Sequence, residues 1–275
     1  MSNLTIVIPC KDDPTLVQCV QSIDDESPSL VVFNGSSKRF ISAMKRQLEN
    51  QAVRFERIDE ANLSLALQRG IDCSSTDQVL LMDSDCCFRK GSVAAIKQSM
   101  AGSDPECSVH KGTVIFSEGG GPVSRVISRS RRQHTSSRLC AYKPPLAFSK
   151  RLAPHIGGYF FDRRLRWKED SDLDRRIRDA DIDIVAVAGC VIDHGELDLV
   201  TDLRSNFRYG IGAALAEHLE ITLPPPTRSL RDTWLNEGWT AAVYMALANQ
   251  VRSTGRLSTR LRLALGLENV PDHPQ

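Results

Sequence analysis

Apolar residues fall along this chain in two rhythms. Leu4–Ile8, Leu30–Phe33 and Gln78–Met82 are short, mostly apolar runs ended by turn-forming or acidic residues, which predicts buried strands. Pro9 closes the first, Asn34-Gly35-Ser36 breaks the second, and Asp83-Ser84-Asp85 follows the third. Between these runs the period lengthens to that of a helix. Pro14 opens one helix, with Leu16, Val17, Val20 and Ile23 on one face, and a second is predicted over 38–49. A strand is predicted over 53–58. A third helix carries Leu65, Ala66, Leu67 and Ile71 behind a cap at Asn62 or Ser64. This alternation implies an α/β fold, a mostly parallel central sheet flanked by helices. Ligands of such sheets bind beyond the carboxyl ends of the strands.

Past residue 90 the pattern loosens. A helix is predicted over 93–100 and a strand over 108–116, and Gly119-Gly-Gly-Pro122 is a breaker. The stretch from Arg125 to Arg138 reads as helical, 170–180 as a charged helix, and the β-branched run from Ile182 to Ile192 as a buried strand. Pro224-Pro-Pro226 precedes a helical C-terminal pattern through Trp234, Trp239, Ala242, Val243, Met245 and Leu247. The expected division is 1–118, 119–222 and a helical extension over 223–275.

Composition narrows the class. With 275 residues, 41% hydrophobic and 25% charged, the chain has the make-up of an ordinary globular protein. No apolar run reaches the roughly 18–20 residues a bilayer span needs, and no signal-peptide pattern opens the chain, so the expected location is the cytoplasm. Eight scattered cysteines without a C-x-x-C pair read as reduced thiols and argue against a cysteine-bound metal. The net charge of +1 hides segregation: residues 119–168 carry 12 basic side chains against 1 acidic, between two acidic flanks. Such a basic middle suits an anionic ligand, or a solvated Arg-rich loop.

Three groupings carry candidate chemistry. Asp83-Ser84-Asp85, just past a buried strand, places two carboxylates where a hard divalent cation and the phosphates it carries can be met. Mg²⁺ takes one or two carboxylates plus phosphate oxygens, and Mn²⁺ accepts similar ligands. Glu169, Asp170, Asp172 and Asp174 crowd a helix start. Dipole compensation accounts for one or two of them, and a general base beside a metal-bound phosphate accounts for the cluster. His194, within Asp193-His194-Gly195, can add a nitrogen ligand, its other nitrogen oriented by Asp193 or a backbone carbonyl. Arg125, Arg129, Arg131, Arg132 and Arg138 are candidates to grip a diphosphate or a phosphorylated acceptor, with Arg129 and Arg132 on one helical face. Arg204, Arg208 and Tyr209 are further candidates for that role.

In order along the chain, these segments resemble the family 2 glycosyltransferases. Thr5-Ile-Val-Ile-Pro9 resembles that family's first strand, and Val31-Val-Phe-Asn-Gly-Ser36 its second strand and turn. Asn62 with Ala66-Leu-Gln-Arg-Gly-Ile71 resembles the helix before the metal strand, and Leu81-Met-Asp-Ser-Asp85 the D-x-D strand itself. Gly157-Gly-Tyr-Phe-Phe-Asp162 and Glu169-Asp-Ser-Asp-Leu173 are similar to the G-G-x-F-D and E-D-x-D-L segments. The resemblance covers residues 4–195 and implies the Rossmann-like GT-A fold, a nucleotide-sugar-binding half over 1–118 and an acceptor-side half over 119–222.

It also implies an enzyme that moves a sugar from a nucleoside-diphosphate-sugar, with UDP the expected nucleotide, to an acceptor hydroxyl. Asp85 then resembles the metal ligand, Asp83 a carboxylate facing the ribose or the metal, and His194 the completing ligand for Mn²⁺ or Mg²⁺. Asp170, beside Glu169, resembles the general base of an inverting displacement. Pro9, Lys11, Asp12, Asn34, Arg69 and Ser84 fall on the donor side, and Gly158 on the acceptor side with the arginines. The pattern departs from the family where Lys11 alone separates Cys10 from Asp12, and where Asn34 replaces an acidic residue.

Two rivals stand beside this reading. A sugar nucleotidyltransferase would carry a Gly-rich loop after the first strand, where Cys10-Lys-Asp-Asp-Pro14 has no glycine. A nucleic-acid binder would use the basic 119–168 segment, although no recognition motif accompanies it. The expected partners are thus a nucleotide-sugar and a small-molecule or soluble acceptor, with a second copy of the chain as a further candidate. Arg252, Arg256 and Arg260 form a stripe at four-residue spacing, suited to packing on the core or a second subunit, or to an anionic membrane surface.

Overall fold

A computed structural model of the chain describes residues 4–135, 139–224 and 229–271. It opens with β1 (Leu4–Cys10), α1 (Leu16–Gln21), β2 (Ser29–Asn34), α2 (Lys38–Gln47), β3 (Val53–Ile58), α3 (Leu63–Cys73) and β4 (Gln78–Leu81). Next come β5 (Cys86–Phe88), α4 (Ser92–Ala101), β6 (Ser108–Phe116), α5 (Pro122–Thr135), β7 (Leu146–Ser149), a 3-10 segment over Lys150–Ile156, α6 (Glu169–Asp179) and β8 (Asp183–His194). The helices α7 (Leu199–His218), α8 (Leu230–Glu237) and α9 (Trp239–Ala264) follow. One sheet contains all eight of these strands in the order β3-β2-β1-β4-β7-β6-β8-β5, so it runs unbroken past residue 118. β3, β2, β1 and β4 are parallel, as are β6 and β8. β7 runs against both β4 and β6, and β5 against β8.

The continuous apolar runs hide a period of two. Leu4, Ile6, Ile8 and Cys10 of β1, with Val31 and Phe33 of β2, face one core, while Val7, Leu30 and Val32 face another. The first core also takes Leu16, Cys19 and Val20 of α1, Ile96 of α4, and Tyr244 and Ala248 of α9. The second takes Ala66, Leu67 and Ile71 of α3 and Leu173 and Ile177 of α6. A sheet covered on both faces can use apolar residues at every position, which is why alternation is not visible in the sequence.

Two expectations change. β1 does not stop before Pro9 but runs to Cys10, because β4 ends opposite Val7 and the missing Pro9 N–H costs the ladder nothing. The Ile182–Ile192 run is not a fully buried strand. Ala186, Ala188 and Gly189 are exposed, since among the described residues the one strand beyond β8 is β5, which pairs with no more than Ile192–His194.

α9 lies against α7 at two glycines. A Cβ at Gly210 would meet Arg252 O, and one at Gly255 would meet Phe207 O, both far inside contact distance. The crossing is pinned by buried Asp202 of α7, which accepts from Arg131 of α5, Tyr244 of α9 and Asn206. The arginine stripe of α9 is drawn to α7 as well: Arg256 and Arg260 pair with Glu217, and Arg252 donates to Asn206 Oδ1 at 2.7 Å.

Candidate active site

The carboxyl edge of the sheet is built from loops tied to one another. Cys86 N donates to Asp83 O at 3.2 Å, closing a turn that carries both carboxylates of Asp83-Ser84-Asp85. Ser84 Oγ donates to Asp13 Oδ2 at 2.7 Å and Thr15 Oγ1 to Ser84 O at 3.1 Å, which fastens the loop after β1 to this turn. Asp12, at φ 49°, accepts from Ser37 N and Ser37 Oγ at the start of α2. Asn34 Oδ1 accepts from Asn62 N at 2.7 Å, and the Asn62 side chain in turn caps α3 by accepting from Leu65 N. The ends of β1, β2 and β4 are thereby held as one rim.

On the rim, β5 and β8 put Cys86 directly opposite His194, so their side chains share a face. His194 Nε2 lies 3.3 Å from Asp85 Oδ2, and its Nδ1 lies 3.0 Å from Gly195 O, with the ring against Phe116. Asp193 instead forms a two-bond pair with Arg89. With Nδ1–H donating to the carbonyl, the Nε2 lone pair and the Asp85 carboxylate face each other, a contact that only a proton on Nε2 or a shared cation makes favourable. One ligand atom each from Asp85, Cys86 and His194 lie within 4.8 Å of one another. An oxygen, a nitrogen and a sulfur donor therefore converge here, and these residues fit a divalent metal. Asp85 is pushed up from the ordinary carboxylate range, first by loss of water around it, with His194 drawing it down and Asp83 repelling it.

Asp83 has a different partner. Lys143, whose side chain is only 6% exposed, places Nζ 3.2 Å from Asp83 Oδ1 and 3.8 Å from Glu169 Oε1. Burial opposes its charge, but Asp83, Asp170 and Glu169 outweigh that and hold the ammonium protonated well above its usual range. The loop that presents it is anchored from below: Lys111 Nζ donates to Pro144 O at 2.6 Å and more weakly to Pro145 O. Lys111 is itself brought down to about 8 by burial.

The acidic start of α6 sorts into two kinds. Asp172 is held by Arg175 and Arg176, and Asp174 accepts from Ala141 N and Arg178. These are structural. Glu169 Oε2 and Asp170 Oδ1, by contrast, are buried without a hydrogen-bond partner among the described residues. Unpaired buried carboxylate oxygens are costly and set these two apart from the paired acids of the same helix. Asp170 is raised well above the carboxylate range, chiefly by burial, with Lys143 lowering it and Glu169 and Asp83 raising it. A carboxylate so placed can take a proton near neutral pH.

Not every residue singled out in the sequence reaches this site. Asp83, Ser84, Asp85, Glu169, Asp170 and His194 do, with Asp83 on Lys143 rather than in the Asp85–His194 group. Pro9 is a buried part of β1, Lys11 is exposed in the loop after it, and Asn34 spends its side chain on Asn62. Arg69, in the second half of α3, donates to Glu56 of β3. Arg129 and Arg132 share a helical face but are taken up by Glu118, and Arg132 also by Glu237. Arg138 lies outside the described residues. Arg208 stacks over Trp167, 4.6 Å from the ring centre, next to the start of α6. Gly158, at φ 86°, sits in a turn whose following carbonyls accept from Arg176. Sequence reasoning missed Lys143 and Cys86. Cys86 follows the Asp83-Ser84-Asp85 motif but meets His194 only across the β5–β8 pairing, and Lys143 meets Asp83 only in the folded chain.

Residues 5–148, just over half of the chain, match the sequence model of a family described as Glycosyl transferase family 2. No curated protein sequence matches the chain. Among solved structures, the chain is similar to GalNAc-T7 crystallised with UDP, GalNAc and Mn²⁺, at TM-score 0.56 and 15% identity, over 78% of this chain and 47% of that one. It thus spans about half the length of GalNAc-T7. It is also similar to S. aureus TarS 1–349 in complex with UDP-GlcNAc, at TM-score 0.55 and 10% identity, over 96% and 92% of the two chains. A further S. aureus TarS structure matches at TM-score 0.55 and 12% identity, over 95% of this chain and 55% of that one.

Proposed function

The chain belongs to the glycosyl transferase family 2 and has the GT-A fold, and from that premise we propose that it transfers a sugar from a UDP-sugar to an acceptor hydroxyl with inversion, Asp170 serving as general base. The observation that carries this reading is the buried Asp170 oxygen without a partner, raised in proton affinity, beside a lysine that spans Asp83 and Glu169. UDP is favoured because GalNAc-T7 and TarS hold UDP or a UDP-sugar on the same fold. The acceptor is a small molecule or soluble carrier, and the protein acts in the cytoplasm.

Asp170 takes the proton of the acceptor hydroxyl as its oxygen attacks the anomeric carbon, and the bond from that carbon to the β-phosphate oxygen breaks. A single attack from the face opposite UDP inverts the centre. Asp85 and His194, with Cys86 beside them, would hold Mn²⁺ or Mg²⁺, which supplies neutralisation of the charge growing on the departing diphosphate. Lys143 keeps Asp83 and Glu169 together without mutual repulsion and fixes the carboxylate wall behind Asp170. The nucleic-acid reading draws no support from the basic segment, where Arg129, Arg131, Arg132, Lys143, Arg151, Arg164 and Arg166 all pair with the chain's own carboxylates.

Asp170→Asn tests the assignment. UDP binding should persist while transfer falls by about a thousandfold. Transfer at near-wild-type rate would remove Asp170 from the mechanism, and NMR of the first-formed product showing retention would remove the inverting displacement.

A further inference from the structure

One long face of α9 is apolar and bare. Trp239, Val243 and Leu247 follow at four-residue steps, and Leu257, Leu261 and Leu265 repeat that spacing. Trp239 and Leu257 are about five helical turns apart, so the two triads share one face. All six are between 47% and 69% exposed. The opposite face, with Ala241, Tyr244, Met245, Ala248, Gly255 and Thr259, is buried against the rest of the protein. Trp234 and Leu235 on the adjoining α8 extend the bare surface. Isolated exposed leucines need no explanation, but two apolar triads aligned on one helical face mark an interaction surface.

We propose that this face binds the same face of a second copy of the chain, α9 against α9, antiparallel about a two-fold axis at position 252. The order of apolar and polar positions along the stripe is the same from both ends. In that register Trp239 faces the partner's Leu265, Val243 the partner's Leu261, Leu247 the partner's Leu257, and polar Gln250 the partner's Thr254. Self-complementarity of this kind is what an isologous two-fold interface demands.

Charge and area point the same way. No charged side chain belongs to the stripe, and the arginines of α9 are engaged with Asn206, Glu217 and Glu268. An interfacial membrane helix would instead offer free Lys and Arg along its polar face. The bare parts of the eight large side chains amount to roughly 800–1,000 Å², about one partner's share of a standard interface.

Sedimentation equilibrium of the full chain at micromolar concentrations tests this, and a dimer is expected. Leu261→Glu puts a charge against the partner's Val243 at both ends of the interface and should weaken the dimer by about a hundredfold or more. The position is exposed in the single chain, so thermal unfolding of the separated protein should not change. Val200→Glu, equally exposed but on α7, should leave the dimer intact. Register is read by disulfide capture in a Cys107→Ser background: Val243→Cys mixed with Leu261→Cys should cross-link, and Val243→Cys alone should not, its two copies lying about 27 Å apart along the axis. The proposal is overturned by a monomer at all concentrations, by a dimer indifferent to Leu261→Glu, or by cross-linking of Val243→Cys with itself. It is also overturned if a monomeric protein binds phosphatidylcholine vesicles through this face.

Discussion

Lys143 is the residue on which the carboxylates of the site depend. It is buried between Asp83 and Glu169, and its charge favours the ionised form of Asp170, which burial opposes. A base works ionised, so activity should fall as pH falls through a pKa that lies well above that of an ordinary aspartate. Removing the ammonium raises that pKa further. In Lys143→Met the acid limb of the kcat/KM profile should therefore move to higher pH, with kcat down about a hundredfold. A limb that stays in place, measured as a full pH–rate profile, would separate Lys143 from the base. At this scale much of the site was legible. Asp83, Asp85, Glu169, Asp170 and His194 belong to ordered motifs, whereas Lys143 meets Asp83 only across 60 residues of chain, and Cys86, next to Asp85 in sequence, meets His194 only across 108.

Among the elements, the junction of α5, α7 and α9 concentrates its polar contacts on one side chain. Asp202 is almost wholly buried and neutralises Arg131 while accepting from Tyr244 and Asn206. Asp202→Ala leaves a buried guanidinium without its carboxylate and should cost about 3–5 kcal/mol, read from denaturant unfolding. A loss below about 1 kcal/mol would mean that α5 is not anchored there. The strands of the first half were legible because parallel strands covered on both faces are apolar throughout. β8 misled for the converse reason: its β-branched composition suits a strand in any position, and nothing in it records that its outer neighbour, β5, has three residues. Likewise the spacing of Arg252, Arg256 and Arg260 showed a stripe but not its direction, which Glu217 on α7 decides.

For the whole molecule, the charge segregation of the sequence becomes charge pairing in space. The basic middle meets carboxylates from both acidic flanks, Glu118, Asp202, Glu237, Asp77 and Glu60 among them. A segment that reads as a polyanion-binding surface thus works as the seam between the two ends of the chain. Just past it, at the start of α6, Glu169 and Asp170 keep buried oxygens without a hydrogen-bond partner among the described residues. The central claim is that the rim of the sheet binds a metal-linked uridine diphosphate. The most direct test is calorimetric titration of UDP, GDP and dTDP into the wild-type protein and Asp85→Ala, each with and without Mn²⁺. The account predicts UDP binding that requires Mn²⁺ and disappears in Asp85→Ala. Binding of no nucleotide in either condition, or equal UDP affinity in Asp85→Ala, would contradict it.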